Sequence, residues 1–166
     1  MSDNDKRNKF EQAVPSYDGR VVWVTGASSG IGRELARLLA ALKAYVIVSA
    51  RNAEALEELV ASCGGDHKVK ALPVDLEDLD SLPDAVASAE QLFGPIDAVF
   101  HAAGISQRAL AEETSPAVMR RIMAVNYHAP TIISSLLVPG MIERDSGMIA
   151  VVSSLAARIP TPLRSS

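Results

Sequence analysis

Cysteine is nearly absent: Cys63 stands alone among 166 residues, so no disulfide can close within the chain. Histidine is scarce too, and three widely spaced His with one Cys make no metal-ligand cluster. Charge is nearly balanced, with a small acidic excess. Sixteen Lys and Arg against twenty Asp and Glu leave a net charge of −4, without the basic face that binding a nucleic-acid backbone requires. Long apolar runs are missing as well, because Pro130 and Pro139 interrupt the longest one before it reaches membrane length. The opening residues MSDNDKRNKFEQ lack the apolar centre of a secretory signal, so a reducing, cytoplasmic location is expected. What remains is the composition of a folded domain. A hydrophobic share of 48% with 22% charged residues excludes disorder over most of the chain, and the length suits one domain with a sizeable core.

Residues 1–18 are polar without periodicity and are expected to form a mobile arm, with an incomplete nucleotide-binding domain over 19–166. From Gly19 onward, apolar runs alternate with helical patterns. Val21–Thr25 reads as a strand ending at glycines, and Ile31, Leu35, Leu38, Leu39 and Leu42 repeat at helical spacing. Tyr45–Ser49 is a second strand. Leu56, Leu59 and Val60 line a short helix stopped by Gly64 and Gly65. Lys68–Val74, Ile96–His101 and Met148–Ser153 read as the third, fourth and fifth strands. Between them, Ser81 with Asp84 suggests a capping box before a face of Leu82, Val86, Ala89 and Phe93. Ser115-Pro116 opens a long helix that carries Val118, Ile122, Val125, Ile132, Ile133, Leu136 and Leu137. Apolar strands alternating with helices predict a doubly wound α/β domain, a Rossmann-like parallel sheet covered on both faces.

Gly26-Ala27-Ser28-Ser29-Gly30-Ile31-Gly32 falls between the first strand and the first helix. Gly26 permits the tight turn, Gly30 lets the backbone approach a pyrophosphate, and Gly32 lets the helix pack on the sheet. The helix N-terminus offers unpaired N–H groups and partial positive charge to phosphates, and Ser28 and Ser29 add hydroxyls. A dinucleotide site is expected. An acid about twenty residues beyond the glycines would select NAD through the ribose 2′-OH, yet no Asp or Glu occurs between Leu35 and Ala53. The second strand ends instead in Ser49-Ala50-Arg51, a hydroxyl and a permanent cation where a 2′-phosphate would lie. NADP (as NADPH) is therefore expected over NAD, with a solvated loop cation as the plainer reading of Arg51.

Taken together, TGASSGIG at 25–32, Val74-Asp75-Leu76, Ala102-Ala103-Gly104 after the fourth strand and Ser153-Ser154 after the fifth resemble the short-chain dehydrogenase/reductase family. Gly104-Ile105-Ser106-Gln107-Arg108 and MIERDSGMI (141–149) are most similar to its subgroup related to dehydrogenase/reductase member 7. The resemblance implies an oxidoreductase exchanging hydride with a small carbonyl or secondary alcohol. By it, Asp75 accepts from the adenine amino group beside Leu76, and the Thr25 hydroxyl ties the glycine turn to the fourth-strand motif. That motif usually begins with Asn, where this chain has His101, which can supply a donor near the ribose. Taken on its own, His101 reads more readily as a satisfied buried histidine. Asn126 matches the helix asparagine whose carbonyl serves a proton relay. Pro130, four residues on, has no N–H to occupy that carbonyl, although a kink needed only for packing explains it too. Ser154 matches the serine that hydrogen-bonds the reacting oxygen.

The family's acid, a Tyr thirteen residues beyond that serine with a Lys four further on, would begin at position 167. Tyr17, Tyr45 and Tyr127 have no such Lys. The expectation is an N-terminal portion of a reductase, inactive alone, with the sixth strand onward missing and the fifth strand (IAVV) left as an open edge. The alternative is a non-catalytic NADP(H)-binding module that pairs with another chain. Homo-oligomerisation through the long helix around Asn126 is also expected from the resemblance.

Overall fold

The computed structural model describes residues 16–65 and 67–154. Most of the expected arm and the closing loop at 158–166 lie outside them. Five parallel strands form the sheet: β1 (Val21–Thr25), β2 (Tyr45–Ser49), β3 (Val69–Ala71), β4 (Ala98–His101) and β5 (Met148–Val151). Their order is β3-β2-β1-β4-β5. The direction of winding therefore reverses between β1 and β4, the point at which such sheets open a crevice.

β1 is buried along its whole length, as expected of a central parallel strand with helices on both faces. One face carries α1 (Gly30–Ala41) and α2 (Ala53–Ser62), packed on Val22, Val24, Val46 and Val48. The opposite face carries α3 (Leu82–Phe93) and α5 (Ala129–Glu143). There Trp23, Ile47 and Val99 meet Val86, Ile133 and Leu137. By contrast α4 (Pro116–Met123), which leads into α5, buries none of its residues, so the expected core positions Val118 and Ile122 are only half-buried. Tyr17, inside the stretch expected to be an arm, lies 6.5 Å from the Phe100 ring, centroid to centroid.

Several local expectations are realised. Gly65 N–H returns to Val60 O at 3.1 Å and closes α2. Ser115 is extended, and its hydroxyl accepts from Val118 N–H at 3.4 Å ahead of Pro116.

Others change for identifiable reasons. Ser81 caps nothing with its side chain: a 3₁₀ turn at Leu79–Ser81 gives it near-helical backbone angles, and its hydroxyl donates to Asp78 O instead. Capping needs an extended residue there. β3 is shorter than 68–74 because Pro73 has no N–H for the ladder, although Leu72 and Val74 still donate to Val48 O and Ala50 O. The expected apolar face of α1 turns partly outward. Gly32, Ala36 and Leu39 are buried, whereas Ile31 is 66% and Leu38 57% exposed. Small residues win the sheet-facing side because α1 comes too close for larger ones: a Cβ at Gly32 would sit 2.4 Å from Gly26 O.

The long helix is also interrupted. A π-helical turn at Ala124–His128 separates α4 from α5, with Ala129 N–H reaching Ala124 O five residues back. Pro130 cannot donate to Asn126 O four residues earlier, and the widened turn absorbs that missing bond.

Candidate functional site

The segments leaving β1, β2, β3 and β4 converge at the carboxyl edge of the sheet around a cleft of about 500 Å³. That size is ordinary for a small-molecule site. Gly26, Ser28, Ser29, Gly30, Ile31 and Gly32 form one wall, and Arg51 stands at the end of β2. Asp75 and Leu76 lie beyond β3, and Ala102, Ala103 and Gly104 beyond β4. Twelve residues far apart in the chain thus share one cavity. Sequence reasoning missed Ala50, Asn52, Val74, Ile105 and Val125, which also line it. Most of these are direct neighbours of motif residues, so adjacency was the available signal.

The turn after β1 is shaped around absent side chains. Gly26 has φ +76, and a Cβ there would lie 2.4 Å from Ala103 N, so only glycine lets β1 and β4 exit so close together. Gly30 differs: at φ +55 it has nothing within 4 Å of a would-be Cβ. It presents bare backbone to the cleft. Ser29, the N-cap of α1, makes no side-chain capping bond, and the first turn holds no acidic residue. The leading N–H groups of α1 have no intrahelical partner, so donors and partial positive charge stand at the cleft wall with no carboxylate to neutralise them. This arrangement fits the pyrophosphate of a dinucleotide.

Two expected cofactor residues sit behind the cleft rather than in it. The Thr25 hydroxyl is buried without a hydrogen-bond partner among the described residues. The tie to the β4 motif runs through the backbone, with Ala102 N–H donating to Thr25 O at 3.1 Å. His101 shares the face of Val99, and its Nε2 lies 3.1 Å from Ser134 Oγ on α5. The residue is 3% exposed, and burial lowers its pKa from 6.5 to about 4, which keeps it neutral near pH 7. Ser49 is likewise turned inward: its hydroxyl accepts from Trp23 Nε1 at 2.8 Å within the core. That leaves Arg51 without the neighbouring hydroxyl expected beside it.

Asn126 acts through its side chain. Its Oδ1 accepts from Ile105 N–H at 2.9 Å while its Nδ2 donates to Ile105 O at 2.8 Å. This two-point clamp holds the segment that follows Ala102–Gly104 against the π-helical turn. Ser154 lies three residues past β5 on the same carboxyl edge, exposed and outside the cleft lining. Tyr45 packs against Phe93 at 5.1 Å between ring centroids, and Tyr127 is exposed on the π-helical turn. Neither lines the cleft. Among the described residues, no group of three or more His, Cys, Asp or Glu could hold a metal ion, and no helix is long and apolar enough to cross a membrane.

A doubly wound sheet with a glycine-lined crevice at its switch point defines a nucleotide-binding α/β protein. Residues 20–166 match the family described as short chain dehydrogenase, and the chain belongs to that family of oxidoreductases, whose fold binds a nicotinamide cofactor. It is 39% identical over 152 residues to dehydrogenase/reductase SDR family member 7B of Bos taurus, covering 87% of this chain and 47% of the relative. It is 41% identical over 148 residues to the human family member 7, covering 86% of this chain and 44% of that one. The chain thus spans about half the length of the curated relatives it matches. Among solved structures, a metagenomic short-chain oxidoreductase in complex with NADP superposes with a TM-score of 0.85 at 30% identity, covering 91% of this chain and 69% of that one. A short-chain dehydrogenase from Streptomyces avermitilis gives 0.81 at 31% identity, with 89% and 54% covered.

Proposed function

We propose that the protein is the cofactor-binding portion of an NADP(H)-dependent oxidoreductase acting on a small carbonyl compound or secondary alcohol. The observation that carries this reading is Arg51 at the mouth of a glycine-walled cleft, on a β2 end that bears no carboxylate of its own. The NADP complex of the metagenomic relative supports it. The α1 N-terminus and Gly30 would hold the pyrophosphate, Arg51 the 2′-phosphate, and Asp75 the adenine amino group. The nicotinamide, when bound, supplies or accepts the hydride. Ser154 would donate a hydrogen bond to the substrate oxygen and stabilise charge as it develops there. Asn126 keeps the β4 loop in place. Tyr17, Tyr45 and Tyr127 do not fit the role of acid, so the proton would come from outside residues 1–166. The 166-residue chain alone should therefore show no measurable NADPH-linked carbonyl reduction.

Titration of the purified protein with NADPH and NADH tests the cofactor assignment. NADPH should bind more tightly, and Arg51→Ala should weaken NADPH about tenfold while leaving NADH unchanged, since a charge-assisted bond is worth about 1.5–3 kcal/mol. Equal affinity for the two dinucleotides would overturn the NADP reading.

A further inference from the structure

Arg51 is not free at the cleft mouth. Its Nη1 donates to Glu77 Oε1 at 2.9 Å, and Arg121 of α4 donates its Nε to the same oxygen at 2.7 Å. Glu77 is not itself in the cleft lining but directly follows Asp75 and Leu76, which are, so its carboxylate occupies the Arg51 guanidinium at the edge of the cavity. Its backbone is fixed in turn by Asp75, whose Oδ1 accepts Glu77 N–H at 3.0 Å. Two cations therefore share one carboxylate. We propose that Glu77 tunes the dinucleotide preference: it stands in for the 2′-phosphate on Arg51 and competes with that phosphate for the guanidinium. The proposal rests on the NADP(H) reading above and adds to it a carboxylate that opposes Arg51.

The physical reasoning is one of charge. A 2′-phosphate brings close to two negative charges near pH 7 to a guanidinium already bonded to a carboxylate. Either Glu77 gives up its bond or the two anions face each other across one cation. NADH has only a hydroxyl at that position and is indifferent to the exchange. Arg121 moderates the competition by sharing Glu77. Without Arg121, the carboxylate holds Arg51 alone. All three side chains are at least partly solvent-accessible, and exposed ion pairs are worth at most about fivefold in an equilibrium.

The test is a set of binding constants for NADPH and NADH, read from cofactor fluorescence on the purified protein at fixed salt. Glu77→Gln keeps the size of the side chain and removes its charge. It should tighten NADPH about threefold to fivefold and leave NADH within twofold. Arg121→Ala, read in parallel, should weaken NADPH about twofold to threefold with NADH again unmoved. Opposite shifts from two residues outside the cleft are not the signature of a purely structural role. An NADPH constant unchanged in both variants, or equal shifts for both dinucleotides, overturns the proposal. If the wild type prefers NADPH and Arg51→Ala abolishes that preference while Glu77→Gln does nothing, the role of Glu77 fails and the NADP reading stands. If the wild type shows no preference, both fail.

Discussion

Gly26 and Gly30 sit four residues apart in one turn, both at positive φ, yet the structure assigns them opposite consequences on substitution. A left-handed L-residue costs about 1–2 kcal/mol. At Gly30, nothing lies within 4 Å of an added Cβ, so Gly30→Ala should lose only that backbone cost in stability. Its methyl group would instead occupy the space through which a pyrophosphate approaches the backbone. Overpacking of about 1–3 kcal/mol translates into roughly 5- to 150-fold weaker NADPH binding. At Gly26 the same methyl would meet Ala103 N at 2.4 Å and Ala103 Cα at 2.5 Å, both backbone atoms. Neither can move without parting β1 from β4. Gly26→Ala should therefore cost about 3–5 kcal/mol of folding stability, at the upper end for single substitutions. Urea denaturation gives the stabilities, and NADPH fluorescence titration of the folded variants gives the affinities. Gly30→Ala binding NADPH like the wild type would show that the open space above Gly30 is not the phosphate site. Equal stability of the two alanine variants would refute the packing argument.

Other consequences concern groups behind the cleft. The His101 pKa is depressed from 6.5 to about 4, so between those values the unfolded chain binds a proton that the folded one refuses. Stability is full above pH 6.5 and declines as the pH falls toward 4, by about 3 kcal/mol at most at about 1.4 kcal/mol per pH unit. His101→Asn should flatten that part of the stability–pH curve, and denaturation midpoints from pH 4 to 7 check it. Asn126→Ala removes both bonds to Ile105. Losing about 1 kcal/mol locally should speed amide hydrogen exchange at Ile105 about fivefold, while amides in β1 keep their rates.

Much of this architecture is legible along the chain because it rests on short-range physics. The apolar run Val21–Thr25, the glycines at 26, 30 and 32 and the helical pattern after them report one strand–turn–helix unit, and each of its parts is decided by neighbours within a few residues. The alternation of such units implies a parallel sheet. Twelve of the residues expected to hold a cofactor do line one cleft, because loops at the carboxyl ends of parallel strands must emerge on the same edge.

What the chain alone did not disclose is orientation and partnership across the sheet. Ser49, His101 and Thr25 lie at strand ends beside cleft residues. Strand pleating and the packing of α5 turn them into the interior, where Trp23, Ser134 or, for Thr25, no partner among the described residues meets them. Ile31 and Leu38 share a helical stripe with Leu39, but the close approach at Gly32 decides which side faces the sheet. Glu77 meets Arg51 across 26 residues and Arg121 across 44, because β3 lies beside β2 and α4 brings Arg121 to the loop after β3. Local pattern determined which residues form the turn and its strands. Tertiary packing alone decided which of their polar groups face the cleft, since a side chain's direction depends on what fills the space beside it.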